Sequence, residues 1–314
     1  MTHSLRLLDT ADIKPDEIDG LGHMNVRFYM ERAQRANKAL MAEFGLAQER
    51  PDARLTLVDT YCRYHREQFQ GQTLTVNGGV LAAAPDKLKM FYEVTNPARG
   101  EVAATFIIVN ALVERATGEE QPLPAAALAA ASGQIVELPE YGQARTCDLG
   151  SLRLDLSYDE VAARLADDVS DPMSRRMEWT VEADACDEHG FMADTSGMMF
   201  GGWRMPSAEE MRQHGPMVFA SDEGHRLGWA SLETRMVRVT PARAGDVLAS
   251  LGAEIGLHPK VRHSRRWLFN RTTGRLVSLN DNVSIALDLD ARRSIEIPES
   301  IRSQLQSRHV PEFA

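Results

Sequence analysis

Reactive side chains are concentrated in one short stretch near the amino terminus, Asp19-Gly-Leu-Gly-His23-Met-Asn25. The stretch is interrupted by glycines and precedes a predicted helix, so its carboxylate and imidazole would lie beside the unpaired N–H groups at the start of that helix. Such amides can polarise a carbonyl group. Asp19 could attack that carbonyl or activate water, and His23 could orient the carboxylate, bind the carbonyl or protonate a leaving group. Asn25 could cap the helix, hold the loop or contact a substrate.

A second carboxylate, Glu67, lies in the segment Tyr64-His-Arg-Glu67. It could position a water molecule for attack, or it could be a solvated residue of a strand. The pair His65-x-Glu67 lacks the further ligands that a metal site needs, so we expect no metal there. We expect no redox cofactor either. Tyr29 belongs to the apolar face of the predicted helix or lines the site, without taking part in the chemistry.

A degraded copy of the first stretch occurs later in the chain. The pattern Ile13-x-x-Asp16-x-x-Asp19-x-x-Gly22 is answered by Val181-x-x-Asp184-x-x-Asp187-x-x-Gly190, at an offset of 187 − 19 = 168. The copy has Phe191 in place of His23 and Ala193 in place of Asn25. We therefore expect one supersecondary unit to occur twice, with its reactive side chains kept only in the first copy.

The similarity of the two halves continues beyond the motif. Gly71 and Gly100 each lie in a turn before a β-rich run, and Gly245 and Gly274 match them at an offset of 245 − 71 = 174. A single insertion of 174 − 168 = 6 residues explains the change of offset. Two copies suit a pair of similar domains better than a solenoid, which needs about three repeats. We expect domains over residues 1–135 and 136–314, which together imitate a dimer.

Length and composition agree with a two-domain globular protein. A chain of 314 residues is long enough for two domains of roughly 150 residues, and its 43% hydrophobic and 25% charged residues are ordinary values. The net charge of −10 gives no sign of affinity for nucleic acid or for anionic membranes. Three widely spaced cysteines, and an amino terminus without an apolar signal sequence, predict a cytoplasmic protein.

Hydrophobic periodicity predicts one helix and then several strands in each half. A helix is predicted over Arg27–Leu46, where apolar residues recur at spacings of three and four and Arg32 falls largely outside the apolar stripe. The predicted strands are 55–64, 73–81, 87–94, 103–113, 231–239, 247–255, 262–269 and 276–289. A helix followed by consecutive strands predicts an α+β fold with the helix on one face of an antiparallel sheet. The Ala- and Pro-rich segment 122–143 is predicted to be a linker.

The loop that begins at Asp19, together with the helix and strands that follow it, resembles a known superfamily. It matches the Asp-x-x-x-His-x-Asn-x-x-x-Tyr pattern of the hotdog-fold thioesterases, which include the 4-hydroxybenzoyl-CoA thioesterase-like and acyl-acyl-carrier-protein thioesterase groups. The matching residues are Asp19, His23, Asn25 and Tyr29, with Gly22 before the histidine. The resemblance implies two tandem hotdog domains.

The segment that ends at Glu67 carries a second resemblance. It is similar to the Tyr-Arg-Arg-Glu segment of acyl-carrier-protein thioesterases, whose glutamate lies in the active site. Leu21 and Gln68 depart from that group's pattern, which has asparagine and cysteine at these two places. The departures weaken a transfer of that group's mechanism to this chain.

Together the resemblances imply hydrolysis of an acyl thioester of coenzyme A or of an acyl carrier protein, in fatty-acid metabolism. The implied catalytic residues are Asp19, His23 and Glu67, and the implied substrate contacts include Gly22, Asn25 and Tyr29. The two sheets would join edge to edge, with one competent site where the domains meet. Acyl length, carrier and the number of chains per assembly stay open; a homodimer of such tandem chains is one arrangement.

Two other functions on the same fold are alternatives. A hotdog hydratase or dehydratase also uses a carboxylate and a histidine next to a thioester, but it places this pair differently from Asp19 and His23. A non-catalytic acyl-CoA binding protein is the other alternative. The loss of His23 and Asn25 in one copy and their retention in the other favours chemistry over binding alone.

Two further clusters could contact a substrate. Within the basic segment His258–Trp267, period-two alternation places Lys260 and Arg262 on one face of a strand, where they could receive the phosphates of coenzyme A or phosphopantetheine. A solvated strand face is the alternative. The run Met198-Met-Phe200, among glycines, could line an acyl tunnel or simply pack in the core. Those glycines predict a weakened helix in the second copy.

Overall fold

The structure is a computed structural model, and it describes residues 4–150, 152–165, 177–192, 219–220 and 226–313. The chain divides into two compact units, Met1–Arg145 and Thr146–Ala314. Each unit contains an antiparallel sheet, and a long helix belongs to the first, as the α+β prediction requires. The run Met198-Met-Phe200 and Ala193 lie outside the described residues.

The elements are numbered in chain order. The strands of the first unit are β1 (Arg6–Asp12), β2 (Ala53–Tyr64), β3 (Thr73–Ala83), β4 (Lys87–Asn96), β5 (Glu101–Glu114) and β6 (Glu120–Gln121), and its helices are α1 (Val26–Ala42), α2 (Leu46–Glu49) and α3 (Ala125–Ser132). The described strands of the second unit are β7 (Met177–Thr180), β8 (Phe219–Ala220), β9 (Arg226–Arg238), β10 (Val247–Leu257), β11 (Val261–Asn270), β12 (Arg275–Asp288) and β13 (Arg293–Ser294), and its described helices are α4 (Tyr158–Ala162) and α5 (Glu299–Gln306).

The two sheets have matching strand orders. The first runs β1-β3-β4-β5-β2, and the second runs β7-β10-β11-β12-β9. All of these neighbours are antiparallel. Every predicted strand is confirmed, since the predicted segments correspond to β2–β5 and β9–β12. Strands β1 and β7 are not among the predicted strands, because they are short edge strands, paired on one side in the described residues, and lack an apolar run.

Helix α1 is confirmed, although it ends earlier than predicted. Its apolar stripe is buried, and the helix packs on β3, β4 and β5. The backbone of Gly45 has a φ of 71°, a left-handed conformation that ends the regular helix before α2 begins. One prediction is wrong: Arg32 does not fall outside the stripe, because its side chain is only 1% exposed.

Inside the first unit, α1 is joined to the sheet by a buried polar cluster. Asn37 on α1 and Asn110 on β5 exchange two amide hydrogen bonds, at 2.8 and 3.0 Å. The hydroxyl of Tyr92 on β4 donates to the Asn37 Oδ1 atom at 2.8 Å. All three side chains are buried. Because buried polar groups are costly when unpaired, this cluster specifies how the helix sits on its own sheet.

The linker predicted over residues 122–143 is wrong, because this segment belongs to the first unit. It contains α3, whose buried alanines pack toward β3, and the amide of Val136 donates to the carbonyl of Val80 at 2.8 Å. The unit therefore extends to Arg145, beyond the domain end predicted at residue 135. Small side chains give no helical periodicity to read, although alanine has the strongest helix propensity.

The same segment has a counterpart at the end of the second unit. Helices α3 and α5 each follow a proline, Pro124 and Pro298, at the offset of 298 − 124 = 174. The amide of Val310 donates to the carbonyl of Glu254 at 2.8 Å, which repeats the bond of Val136 to Val80. The repeat unit therefore includes the terminal helix as well as the strands.

The turn glycines and bulges confirm the internal repeat. Positive φ angles occur at Gly71 and Gly245 (78° and 85°) and at Gly100 and Gly274 (63° and 73°). Irregularities in strand pairing also recur at the offset of 174, for example after Val80 in β3 and after Glu254 in β10. A bulge fixes strand register and twist, so its repetition shows two copies of one backbone plan.

Candidate active site

The first motif loop is closed by its own backbone and by Asp19. The amide of Asp19 donates to the carbonyl of His23, and the amide of Gly22 donates to the carbonyl of Asp19, both at 3.0 Å. Gly22 has a φ of 82°, which only glycine adopts without strain in such a turn. The Oδ1 atom of Asp19 accepts a hydrogen bond from the amide of Leu21 at 2.9 Å. Asp19 thus holds the turn with one of its two oxygens.

His23 lies between two carboxylates. Its Nδ1 atom is 3.4 Å from Asp19 Oδ2, and its Nε2 atom is 3.5 Å from Glu67 Oε1. Both distances are longer than a strong hydrogen bond but within the range of an ion pair. The His23 side chain is 16% exposed, that of Asp19 20% and that of Glu67 38%. The three side chains predicted to be catalytic therefore meet, with Glu67 the most open to solvent.

Asn25 is the N-cap residue of α1. Its side-chain oxygen accepts a hydrogen bond from the amide of Arg27 at 3.0 Å, and its own amide donates to the carbonyl of Glu17 at 2.9 Å. Of the uses considered for Asn25, the geometry supports helix capping. Across the described residues, the amide of Val26, the first residue of α1, has no acceptor. A helix N-terminus with such an amide attracts negative charge.

Two contacts hold the backbone on either side of Glu67. The hydroxyl of Tyr29 donates to the carbonyl of Arg66 at 3.3 Å, and the amide of Met24 donates to the carbonyl of Gln68 at 2.8 Å. Tyr29 is only 3% exposed, and this burial raises the pKa of its hydroxyl well above the ordinary value. Tyr29 therefore positions the Glu67 segment instead of meeting solvent.

The loop of the second copy has the same backbone. The amide of Asp187 donates to the carbonyl of Phe191 at 2.7 Å, and that of Gly190 to the carbonyl of Asp187 at 2.9 Å. Asp187 Oδ1 accepts a hydrogen bond from the amide of His189 at 2.9 Å, as Asp19 does from Leu21. The aspartate therefore has a turn-forming role in both copies, independent of the histidine.

Apart from Asp187, the second copy lacks the reactive side chains of the first. Phe191, in place of His23, is 1% exposed, and the guanidinium of Arg243 lies 4.1 Å from its ring centre. Pro241 takes the place of Glu67 at the offset of 241 − 67 = 174. A buried phenyl ring and a proline offer neither acid nor base.

The two residues of the predicted basic cluster, Lys260 and Arg262, lie in different environments. Lys260 is exposed in the turn before β11. Arg262 is buried, stacks on the ring of Trp229 at 4.3 Å, and pairs with Glu254 at 3.5 Å. It takes the position of Leu88, a core residue of the first unit, since 262 − 88 = 174. The expectation of a shared face with Lys260, open to phosphates or to solvent, is therefore wrong for Arg262.

A buried ion pair that the sequence did not predict lies beside the motif loop. Arg32 donates to Glu17 Oε2 at 2.7 Å and to the carbonyl of Asp12 at 3.1 Å. A signal for this burial is present in the sequence, because Arg32 lies three residues after Tyr29 and four before Ala36, on the apolar stripe itself.

The described part of the chain has no group of three or more His, Cys, Asp and Glu residues able to hold a metal ion. None of its helices combines the length and hydropathy that crossing a membrane requires.

Comparisons with known proteins agree with the hotdog resemblance. Residues 13–131 match the Thioesterase-like superfamily, and no curated protein gives a significant match. An acyl-ACP thioesterase from Bacteroides thetaiotaomicron is 12% identical with a TM-score of 0.61, over 89% of this chain and 97% of that one. A 12:0-ACP thioesterase from Umbellularia californica is 12% identical with a TM-score of 0.63, over 88% of this chain and 93% of that one. At such identities the likeness concerns the fold, and it confirms the prediction of tandem hotdog domains.

Proposed function

We propose that this chain, whose residues 13–131 match the Thioesterase-like superfamily, hydrolyses an acyl thioester of coenzyme A or of an acyl carrier protein. The observation that carries the proposal is the place of His23 between Asp19 and Glu67, at 3.4 and 3.5 Å. An imidazole held between two carboxylates, next to the start of a helix, has the groups that thioester hydrolysis needs.

Asp19 acts by orienting His23 and by stabilising its charged form. One oxygen of Asp19 is engaged by the amide of Leu21 and the other faces the His23 Nδ1 atom. This arrangement suits an orienting carboxylate better than an attacking one, because each oxygen already has a partner within the loop. The corresponding Asp187 forms the same turn without a histidine, which supports separating the structural role of the aspartate from its electrostatic role.

Glu67 activates the attacking water. It is the more exposed of the two carboxylates, and the hydrogen bonds of Tyr29 and Met24 fix the residues beside it. Glu67 accepts a proton from water as the water oxygen adds to the thioester carbonyl. The resulting oxyanion is stabilised by the amide of Val26 and the positive end of the α1 dipole.

His23 completes the reaction by moving one proton. When the tetrahedral intermediate collapses, the carbon–sulfur bond breaks and protonated His23 gives its Nε2 proton to the departing thiolate. Glu67, which holds the proton taken from water, returns it to the same nitrogen across their 3.5 Å contact. Water and thioester thereby give acid and thiol, and the enzyme regains its starting protonation state.

The carrier is proposed to be an acyl carrier protein or coenzyme A, with no metal or redox cofactor. The two structures compared above are named acyl-ACP thioesterases, and each aligns with most of this chain. This favours a carrier-protein thioester as the first substrate to assay.

A thiol-release assay over acyl-CoA and acyl-carrier-protein thioesters tests the proposal. We expect wild type to release thiol, and Asp19→Asn to lower kcat by about 100-fold or more, because the imidazolium loses its partner. Asp187→Asn, the matched change in the second copy, leaves kcat within about twofold of wild type on the same reasoning. Hydration of an enoyl thioester without thiol release, or binding without turnover, would instead support the hydratase or the binding protein.

A further inference from the structure

Three elements that position the reactive loop meet at one buried side chain, Arg32. Its guanidinium donates to the carbonyl of Asp12, at the end of β1, and to that of Phe28, in α1, at 3.1 and 3.3 Å. It also donates to the carboxylate of Glu17 at 2.7 Å. The side chain of Arg32 is 1% exposed and that of Glu17 is 12% exposed. Arg32 therefore ties the segment in front of the loop to the helix behind it.

Glu17 transmits this constraint to the site. Its carbonyl accepts the amide hydrogen of Asn25, the N-cap of α1, at 2.9 Å. The next residue, Ile18, forms an antiparallel bridge with Met24, and Asp19 follows directly. The loop that carries His23 is thus bounded on both sides by residues fixed through Glu17.

The second copy shows that the loop backbone forms without this pair. Ala185 takes the position of Glu17, since 185 − 17 = 168. At the same offset from Arg32 the sequence has Phe200, which lies outside the described residues. The Asp187 turn nevertheless forms the three hydrogen bonds that close the Asp19 turn. It adds one more, from the amide of Phe191 to Asp187 Oδ1 at 3.0 Å. The ion pair is therefore not needed for the turn itself, and it occurs only beside the copy that keeps the reactive side chains.

The energetics of the Arg32–Glu17 ion pair also indicate that stability is not its main contribution. Two buried charges lose hydration that their attraction only partly restores, so a buried ion pair is a weak source of stability compared with apolar side chains of the same size. The Nε atom of Arg32 is itself buried without a hydrogen-bond partner among the described residues. Because the Arg32–Glu17 pair adds little stability, we attribute its presence to the loop geometry that it imposes.

We infer that the Arg32–Glu17 pair is a positioning element, which sets the Asp19–His23 loop relative to the start of α1 for catalysis. The inference rests on the proposed function. According to this inference, Arg32 and Glu17 do not contact the substrate. They act by fixing the positions of Asp19 and His23 relative to the Val26 amide. A displacement of about 1 Å in such a site can cost on the order of 100-fold in rate.

The test replaces the pair by the residues of the second copy. The variant Glu17→Ala/Arg32→Phe replaces both charged side chains by the uncharged residues found at the offset of 168 in the second copy, and Arg32→Lys keeps the positive charge. The matched control is Arg35→Met, which breaks the surface ion pair of Arg35 with Asp9 (2.9 Å) on the same helix. For each variant we would measure kcat, KM, thermal unfolding and the imidazole NMR signal of His23.

We expect Glu17→Ala/Arg32→Phe to lower kcat by about 10- to 100-fold with KM within about threefold. Its unfolding temperature stays near that of wild type, and the His23 signal moves. Arg32→Lys recovers part of the rate, and Arg35→Met changes neither rate nor signal. A double variant that folds and keeps both wild-type kcat and the wild-type His23 signal would overturn the inference.

Two outcomes separate this inference from the proposed function. If wild type hydrolyses no thioester, the proposed function fails, and the NMR signal of His23 still decides whether the pair positions the loop. If the double variant fails to fold, the single change Glu17→Gln removes the charge with little change of volume. In that case a His23 signal identical to that of wild type overturns the inference.

Discussion

The Nε2 atom of His23 lies 3.5 Å from the Oε1 atom of Glu67, although the two residues come from different segments of the chain. His23 ends the turn before α1, and Glu67 follows β2, where Tyr29 and Met24 hold the residues on either side of it. This contact joins the two predicted segments into one site. In the proposed mechanism, it is also the contact across which Glu67 returns a proton to His23.

The first prediction concerns Glu67. Glu67→Gln removes the base but keeps the size of the side chain, so we expect kcat to fall by about 100-fold, while KM stays within about threefold. The measurement is steady-state thiol release. The matched control is Glu31→Gln. Glu31 lies near the start of α1 and pairs with Arg27 at the surface. Similar losses in both variants would mean that general surface charge, and not Glu67, supports the rate.

The motif residues were predictable because their partners are close in sequence. The turn of Asp19, the positive φ of Gly22 and the cap of Asn25 depend on residues within a few positions, and the structure has each of them. The meeting of His23 with Glu67 was suggested by a family resemblance and not by spacing. No local pattern reports a contact between residues 23 and 67.

The parts of the fold that sequence reasoning missed depend on distant partners. Arginine side chains are normally solvated, so the sequence predicts that Arg32 falls outside the apolar stripe. Its burial depends on Glu17, and that of Arg262 depends on Glu254, whose carboxylates lie elsewhere in the chain. Helix α3 was missed for another reason, since its alanines resemble a linker by composition.

A second prediction concerns the polar cluster under α1. Asn110→Leu leaves the Nδ2 group of Asn37 without its acceptor in a buried setting, and we expect a loss of about 1–3 kcal/mol in the free energy of unfolding. The variant Asn37→Leu/Tyr92→Phe/Asn110→Leu removes all three polar groups together, so most of that loss should be recovered. Urea unfolding measures both. A triple variant less stable than Asn110→Leu would contradict this account of the cluster.

A third prediction concerns acid stability in the second unit. Asp281 is fully buried, and Arg265 donates to both of its oxygens at 2.6 and 2.8 Å. Burial acts to raise the pKa of Asp281, but the hydrogen bonds from Arg265 prevail and hold it below the ordinary value of 3.8. A lowered carboxyl pKa stabilises the fold above that value, and the stabilisation is lost as the pH falls through the folded-state pKa.

Asp281→Asn should therefore lower the free energy of unfolding at pH 7 by about 3–5 kcal/mol, because Arg265 keeps a buried charge without its partner. It should also flatten the loss of stability below pH 3.8. Thermal unfolding at several pH values measures both effects. Asp290→Asn is the control, since Asp290 forms an exposed pair with Arg226 at 3.3 Å. If Asp281→Asn loses stability at low pH as steeply as wild type does, other carboxylates determine that loss.

The central claim is that hydrolysis depends on His23 in the first copy of the repeat. Its most direct test is the kcat/KM for thiol release by His23→Phe, which introduces the residue of the second copy, beside His189→Phe, the same change in the second loop. We predict a loss of about 100-fold or more for His23→Phe and a change of less than about twofold for His189→Phe. Retained hydrolysis by His23→Phe, or equal losses in both variants, would contradict the claim.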